Sequence, residues 1–225
     1  MPGPLSWSED TPADELIIAA NVGRMLTDIV RNGARRETPR LALAHDWHRR
    51  IFAGTSSPPG PHVLGVPRGS PHPDLRSYEV VVASGAGGVV SGYGVPAARV
   101  AFYLAGFEQG VQAAVARLDP VIDVARGPQT TVELESVVRL AALCHGEWVR
   151  IHPYMNGNGR VARTWANWVA VRYGLPPFVR IKPRPDGLWY AVAARNSMGM
   201  PPDYSADHEP TFQVFLEILR RGLAD

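Results

Sequence analysis

The stretch from Ile151 to Arg163, Ile-His-Pro-Tyr-Met-Asn-Gly-Asn-Gly-Arg-Val-Ala-Arg, constrains the fold more than any other part of this chain. Its centre, residues 156–159, alternates asparagine with glycine, the residues that best tolerate left-handed backbone angles. Such a sequence predicts a tight concave loop. From Arg160 the apolar residues return at helical spacing, and Tyr173 and Gly174 end the pattern. The loop is therefore predicted to lie at the N-terminus of a helix.

This predicted loop combines the groups that a phosphate-transfer site needs. Unpaired N–H groups and the positive end of a helix dipole bind anions, and phosphate above all. Arg160 and Arg163 lie one turn apart on nearly the same face, and two guanidinium groups beside such a loop suit a polyphosphate. His152, whose unperturbed pKa is near ~6.5, is placed to take a proton from an attacking hydroxyl. The combination predicts transfer of a phosphate-containing group to a hydroxyl.

The segment resembles the signature of the Fic family (Fic/Doc, or Fido, fold), written His-x-Phe-x-Asp/Glu-Gly-Asn-Gly-Arg-x-x-Arg. The positions that match it are His152, Gly157, Asn158, Gly159, Arg160 and Arg163. The resemblance implies that His152 is the general base, that residues 157–159 hold the α and β phosphates, and that both arginines engage the outer phosphates. It further implies AMP transfer from ATP, with Mg²⁺, to a Ser, Thr or Tyr hydroxyl of a target protein.

Two positions of the chain depart from this signature. Tyr154 replaces Phe, which keeps the ring but adds a hydroxyl that needs a partner when it is buried. Asn156 stands where the family has an acidic ligand for magnesium. An amide oxygen can coordinate a hard cation but adds no charge, so Asn156 is predicted to be a weak Mg²⁺ ligand.

Three alternatives stay open beside AMP transfer. The same site could transfer another group, as in the Doc-like branch that transfers phosphate and in others that transfer UMP or phosphocholine. In a toxin–antitoxin setting, a small partner protein would supply an inhibitory glutamate. The third alternative, made possible by Asn156, is a nucleotide-binding module without catalysis.

Composition narrows the class of protein further. The chain has 225 residues, 45% of them hydrophobic, enough for one large domain or one with a small appendage. A formal charge of +2 is too small to indicate a nucleic-acid partner. We expect neither a membrane span nor a signal peptide, and hence a cytoplasmic protein. The single cysteine, Cys144, excludes an internal disulfide and is expected to be a plain core residue.

The N-terminal segment, residues 1–34, is predicted to form one helix. Thr11 is its N-cap, Pro12 its first residue, and Asn32-Gly33 its end. Its predicted apolar face comprises Leu16, Ile17, Ala20, Val22, Met25, Leu26, Ile29 and Val30. Fic proteins often carry an inhibitory Ser/Thr-x-x-x-Glu-Gly/Asn helix here, which Thr11-x-x-x-Glu15 and Ile17-to-Asn21 match poorly. A packing helix is therefore favoured over an inhibitory one.

Residues 35–200 are predicted to form the Fic domain. A helix from Thr38 to Phe52 carries His45 and His48, interpreted as structural rather than metal-binding, and precedes a loop over residues 54–73 in which half of the residues are Gly or Pro. Strands over residues 75–83 and 89–95, joined by residues 84–88, are predicted to form a hairpin. In the family such a hairpin is a flap on which the target docks by strand addition, although a purely structural hairpin is the alternative.

The remaining segments are all predicted to be helical. A helix spans 96–118, and another begins at a Thr130-x-x-Glu133 capping box and runs into the motif, with His145 as a hydrogen-bonded structural group. Asp186 is predicted to cap a helix in which Tyr190 or Asn196 is a candidate contact to a base. A C-terminal helix from Glu209 to Leu223 is predicted within the segment 201–225. The overall prediction is an all-α Fic (Fido) fold of seven or eight helices with one β-hairpin flap.

Overall fold

The computed structural model describes residue 7 and residues 11–33, 35–84, 89–185 and 187–222. Within them the chain forms eight α-helices and one antiparallel hairpin, as the sequence predicts. The elements are α1 (Pro12–Gly33), α2 (Leu41–Ile51), α3 (Pro73–Arg76), β1 (Val81–Ser84), β2 (Val89–Tyr93), α4 (Val100–Leu118), α5 (Thr131–Ile151), α6 (Asn158–Arg172), α7 (Leu188–Asn196) and α8 (Glu209–Gly222). No described helix has both the length and the apolar character needed to cross a bilayer.

The centre of the molecule is the pair α5 and α6, the two helices that flank the motif loop. Helices α4 and α8 pack on α5, and α1 and α2 pack on α6. The rings of Trp148 and Trp165 are fully buried between them, and Phe107 lies 5.3 Å from each ring. Edge-to-face aromatic contacts of this kind add to the free energy gained by burying the rings. The loop between α5 and α6 is thus anchored at both ends in the most densely packed part of the core.

The predicted helix signals are confirmed where capping and spacing agree. The Thr130 hydroxyl accepts the N–H of Glu133 at 3.2 Å, and the Thr11 hydroxyl accepts that of Asp14 at 3.1 Å. In α4 the buried stripe is the predicted one and comprises Val100, Leu104, Phe107, Val111 and Val115. Cys144 is buried, and burial raises the pKa of its thiol. It is a plain core residue, as the sequence indicates.

The predicted first strand begins too early. Residues 73–76 form the short helix α3, because Pro73 fits the first helical position and the His72 ring accepts the N–H of Asp74. The hairpin starts at Val81, with pairs Val81–Tyr93, Val82–Gly92, Ala83–Val90 and Ser84–Val89 and a register shift after Val82. The predicted connection at 85–88 lies outside the described residues.

Two helix predictions are also corrected. Helix α2 begins at Leu41 rather than Thr38, since Arg40 is extended and the Leu41 N–H donates to the Glu108 carboxylate at 2.7 Å. In α1 the predicted Leu16 and Val30 are 77% and 52% exposed. Their places in the core are taken by Ile18 and by a polar residue, Asn21, whose amide donates to the Ile51 and Ala53 carbonyls.

The chain ends follow the predicted pattern within the described residues. Helix α1 packs on α2 and α6, and α8 packs on α5 and α7. Helix α7 begins after Gly187, and both its predicted cap, Asp186, and the predicted last residue of α8, Leu223, lie outside the described residues. The division of the chain at residues 34 and 200 stays a prediction.

Candidate active site

His152 ends helix α5 in a left-handed conformation with φ 52° and ψ 56°. Its Nδ1 lies 3.1 Å from the Val149 carbonyl. Because a carbonyl can only accept, Nδ1 carries the proton and Nε2 keeps its lone pair in the neutral ring. Burial, opposed by this hydrogen bond, lowers the pKa of His152 to about 4, with Arg68 lowering it further. The ring is therefore neutral at pH 7, the form that a general base needs.

A buried arginine from the Gly/Pro-rich loop fixes the backbone at His152. Arg68 is 1% exposed, and its guanidinium donates to the carbonyls of His152 at 2.8 Å, Ile151 at 3.2 Å and Val95 at 2.9 Å. Its own N–H donates to the Pro153 carbonyl at 2.7 Å. Burial lowers the pKa of Arg68 to about 10, so it stays charged at pH 7. The sequence reasoning missed Arg68, and an isolated arginine among glycines and prolines gives no signal of this role.

The side chains of Asn156 and Asn158 form hydrogen bonds with the backbone of the motif loop. The Asn158 side chain accepts the N–H of Tyr154 and donates to the Tyr154 carbonyl, both at 2.8 Å. The Asn156 Oδ1 accepts the N–H of Gly157 at 2.6 Å. Gly157 has φ 78°, and a Cβ there would lie 2.5 Å from the Phe52 ring, so both backbone angle and space require glycine. The side chain of Asn158 thus shapes the loop, and an anion bound at this point would meet the N-terminus of α6.

Helix α2 supports the loop through its two histidines. The His48 Nδ1 accepts the Gly65 N–H at 2.9 Å, so its Nε2 is the protonated atom and donates to the Asn156 carbonyl at 3.0 Å. His45 pairs with the Tyr154 hydroxyl at 2.8 Å, which supplies the partner that this buried tyrosine needs. Burial lowers the pKa of His48 to about 3. Both histidines are structural, as predicted.

The two motif arginines open onto one cavity of about 380 Å³. Arg163 is 8% exposed, and its Nε and Nη2 donate to the Ile181 carbonyl at 3.1 and 2.9 Å. Its Nη1 donates to the Tyr190 hydroxyl at 3.2 Å. The Arg160 guanidinium lies 5.0 Å from the centre of the Phe52 ring. The cavity is lined by Glu15, Asn156, Arg160, Arg163, Lys182, Pro183 and Arg184.

Tyr190 supports the cavity by contacting one of its lining residues, Arg163. It is 5% exposed, and its hydroxyl also pairs with the His145 Nε2 at 2.9 Å, which makes His145 the hydrogen-bonded structural group that the sequence predicts. Asn196, the other candidate contact to a base, accepts the Asp207 N–H with its carbonyl. Tyr190 therefore orients Arg163 in this structure.

The cavity wall is strongly cationic. Arg160, Arg163, Lys182 and Arg184 face one carboxylate, Glu15, whose Oε1 lies 3.1 Å from the Lys182 Nζ. Lys182 was not predicted, although its being the only lysine in the chain is a signal that could have drawn attention to it. His152 does not line this cavity. It lies at the other end of the motif loop, beside Gly94 at the end of the hairpin. A Cβ on Gly94 would come within 2.9 Å of the His152 Cβ.

The residues of the cavity fit Mg²⁺ poorly. Asn156 offers a neutral oxygen that already accepts the Gly157 N–H. The one carboxylate among the lining residues, Glu15, is paired with Lys182. Protein sites for Mg²⁺ usually supply one or two carboxylates beside the substrate phosphates. Charge on a bound polyphosphate would instead be met here by guanidinium and ammonium groups.

Comparison with known proteins agrees with this architecture. The model of the Fic/DOC family matches residues 40–170. Protein adenylyltransferase Fic of Nematostella vectensis is 42% identical over 65 residues, 28% of this chain and 15% of that protein. Protein adenylyltransferase fic-1 of Caenorhabditis elegans is 37% identical over 51 residues, 23% of this chain and 10% of that protein. The chain thus matches only a small part of the length of these relatives.

Solved structures show the same fold. A Fic-domain-containing signaling protein from Bacteroides thetaiotaomicron superposes with a TM-score of 0.69 at 19% identity, covering 96% of this chain and 73% of that one. Residues 134–508 of Fic-1 from Caenorhabditis elegans give a TM-score of 0.57 at 18% identity, covering 94% and 49%. The predicted Fic fold is confirmed. Since the family model spans more than half of the sequence and the fold agrees with it, the chain belongs to the Fic/DOC family.

Proposed function

We propose that this protein transfers AMP from ATP to a Ser, Thr or Tyr hydroxyl of a target protein. The observation that carries the proposal is the pairing of a neutral histidine with a cationic cavity at opposite ends of one loop. His152 has its Nε2 lone pair available, and Arg160 and Arg163 line the cavity. The short segments of similarity to proteins named protein adenylyltransferase support the same reaction class.

The proposed step forms one bond and breaks one. The target hydroxyl oxygen attacks the α-phosphorus, and the His152 Nε2 accepts the hydroxyl proton. The bond from the α-phosphorus to the oxygen that bridges to the β-phosphate breaks, and pyrophosphate leaves. First-turn N–H groups of α6 and the guanidinium groups of Arg160 and Arg163 stabilise the negative charge on the phosphates. No step is assigned to Mg²⁺, because the cavity residues fit it poorly.

The hairpin is the proposed docking surface for the target. Strand β2 runs into Gly94, which packs directly against His152. A peptide that added as a strand to this two-stranded sheet would bind through its main chain and carry a side-chain hydroxyl past the base. The absence of a side chain at Gly94 matters here, since a Cβ would collide with both His152 and Arg68.

The distinguishing experiment uses ATP labelled on either the α- or the γ-phosphate. AMP transfer places the α label, and not the γ label, on protein, whereas a Doc-like phosphotransferase gives the reverse. His152→Ala should lower the rate by ~10²–10⁴-fold, as loss of a general base does, while ATP affinity stays nearly unchanged because His152 does not line the cavity. Tight ATP binding without transfer of either label would favour the non-catalytic alternative.

A toxin–antitoxin arrangement has weaker support. In that alternative a separate small protein supplies an inhibitory carboxylate to the site. Glu15 of this chain already lines the cavity and pairs with Lys182. A partner would therefore have to compete with a carboxylate that is present in the same chain.

A further inference from the structure

The Gly/Pro-rich segment before the hairpin contains a second cluster of chemically active side chains, remote in sequence from the motif. His62 belongs to a single 3₁₀ turn, Pro61–Val63, and His72 and Asp74 lie at the start of α3. Within the described ranges, this is the one group of three His, Cys, Asp or Glu side chains whose ligand atoms all lie within 4.8 Å of one another. We propose that His62, His72 and Asp74 bind a divalent cation of the zinc class.

The ligand atoms of the cluster lie close together. The His62 Nε2 lies 2.9 Å from the Asp74 Oδ2, and the His72 Nδ1 lies 3.7 Å from the same oxygen. The two imidazole rings are stacked, with centres 4.2 Å apart and planes inclined by 20°. Because the lone pairs lie in the planes of these nearly parallel rings, one imidazole must turn for both nitrogens to meet one ion.

The short distance at His62 is not explained by a hydrogen bond. The His62 Nε2 is buried and has no hydrogen-bond partner among the described residues, even though the Asp74 oxygen is 2.9 Å away. The carboxylate oxygen therefore lies off the axis of the nitrogen lone pair. At His72 the Nδ1 lone pair already accepts the N–H of Asp74 at 3.3 Å, which is a long hydrogen bond. A cation between the three atoms would satisfy the His62 nitrogen and would replace this long bond at His72.

The dimensions suit zinc better than a hard cation. Zinc binds imidazole nitrogen at ~2.0–2.1 Å and carboxylate oxygen at ~2.0–2.2 Å, which places tetrahedral ligands about 3.3 Å apart. The measured separations of 2.9 and 3.7 Å bracket that value. Two imidazoles and one carboxylate are ligands for zinc-like ions, whereas Mg²⁺ and Ca²⁺ prefer oxygen alone. The three side chains are 30%, 40% and 33% exposed, so an ion can enter from solvent and water can complete its coordination.

The position of the cluster indicates a structural role for the ion. Arg68, which holds the backbone at His152, lies between His62 and His72 in the sequence. An ion bound by His62, His72 and Asp74 would tie the two ends of this Gly/Pro-rich segment together. Gly60 already makes room for the arrangement, because a Cβ there would lie 2.7 Å from the His62 ring. The ion would thereby stabilise the loop that positions the base.

The test titrates the chelator-treated full chain, freed of any affinity tag, with Zn²⁺ and measures binding by calorimetry and melting temperature. One Zn²⁺ per chain and a raised melting temperature are expected. His62→Gln and Asp74→Asn should each weaken binding at least ~10-fold, the lower end of what perturbing a zinc site causes. His208→Gln is the matched control, since His208 pairs with Glu147 at 2.8 Å but belongs to no group of three such side chains in the part of the chain that the structure describes. The His208→Gln variant should bind Zn²⁺ as tightly as the wild type does.

The proposal is overturned if Zn²⁺ shows no saturable binding, or if His62→Gln and Asp74→Asn both bind it as tightly as the wild type. Melting temperatures measured in chelator show whether the variants fold, so that lost binding is not confused with unfolding. A second measurement needs no variant. Cobalt bound to the wild type should give the intense visible absorption of tetrahedral Co²⁺, and the weak spectrum of the octahedral aqua ion would also overturn the assignment.

Discussion

The two walls of the cationic cavity are held in place in different ways. The motif wall consists of Asn156, Arg160 and Arg163, on the motif loop and α6. Its most buried member, Arg163, donates three hydrogen bonds to the Ile181 carbonyl and the Tyr190 hydroxyl. The opposite wall consists of Glu15, Lys182 and Arg184, contributed by α1 and by the link between α6 and α7. Across this wall the Glu15 Oε1 and the Lys182 Nζ form an ion pair, in which the Glu15 side chain is 55% exposed.

The different ways in which the two walls are held predict different responses to substitution. Side chains held by buried hydrogen bonds keep one geometry, which transition-state stabilisation requires. An exposed ion pair contributes only ~0.2–1 kcal/mol, so its members can exchange partners at little cost. We therefore expect substitutions on the motif wall and its supports to have large effects, and substitutions on the opposite wall to change affinity modestly.

The largest expected effect is acid destabilisation of the motif side. Burial lowers the pKa of His48 and His145 to about 3 and that of His152 to about 4, well below the ~6.5 of the unfolded chain. Below pH 6.5 the unfolded state binds more protons, so stability falls as pH falls from 6.5 towards the folded pKa values. Each group contributes about 1.4 kcal/mol per pH unit, several kcal/mol in total by pH 5.

Denaturant unfolding at pH 7, 6 and 5 measures this loss. His145→Gln removes one of the three titrating groups and should make the pH dependence shallower, even if its stability at pH 7 is reduced. Glu15→Gln changes none of these three histidines, so it should leave the slope unchanged. A free energy of unfolding that is constant from pH 7 to pH 5 would contradict the buried, neutral state of these histidines.

The sequence predicted the features that depend on local patterns and missed those that depend on contacts between distant residues. The motif, the capping box at Thr130 and the α4 stripe are local patterns, and each predicted its element correctly. Arg68 and Tyr190 act through contacts to residues 84 and 27 positions away, His152 and Arg163, and no local spacing encodes such contacts. Strand β1 was predicted to start too early because the spacing of apolar residues does not reveal that His72 and Pro73 begin helix α3.

The next largest effect is expected on the motif wall itself. Arg163→Ala should weaken ATP binding by ~1.5–3 kcal/mol, the value of one charge-assisted contact, and weaken AMP binding much less, because its guanidinium is assigned to the outer phosphates. Arg184→Ala is the matched control, an exposed arginine of the opposite wall that should cost less. Calorimetric titration of each variant with ATP and AMP measures both values. Equal losses for the two nucleotides would place Arg163 away from the outer phosphates.

Asn156 offers a smaller and more selective change on the same wall. Asn156→Asp keeps the size of the side chain and the oxygen that accepts the Gly157 N–H, and adds a full negative charge. The Mg²⁺ concentration needed for half-maximal transfer should fall by roughly tenfold, because ligand charge sets the affinity of hard-cation sites. A magnesium titration of both proteins measures this. If transfer falls at every Mg²⁺ concentration, the added carboxylate repels the phosphates, and residue 156 is not a position at which Mg²⁺ assists transfer.

The smallest effect is expected on the opposite wall, at Glu15. Glu15 competes with a bound phosphate for the Lys182 ammonium, and a partly exposed pair of this kind is worth ~0.2–1 kcal/mol. Glu15→Gln should therefore bind ATP roughly 1.5- to 5-fold more tightly, with the rate of transfer at saturating ATP unchanged. In a Lys182→Ala background the same substitution should have almost no effect on affinity, which a double-mutant cycle detects.

A different outcome of the Glu15→Gln experiment decides the role of α1. If Glu15→Gln raises the saturated rate by far more than it raises affinity, the carboxylate misplaces bound nucleotide through the motif arginines, and α1 is an inhibitory helix rather than a packing helix.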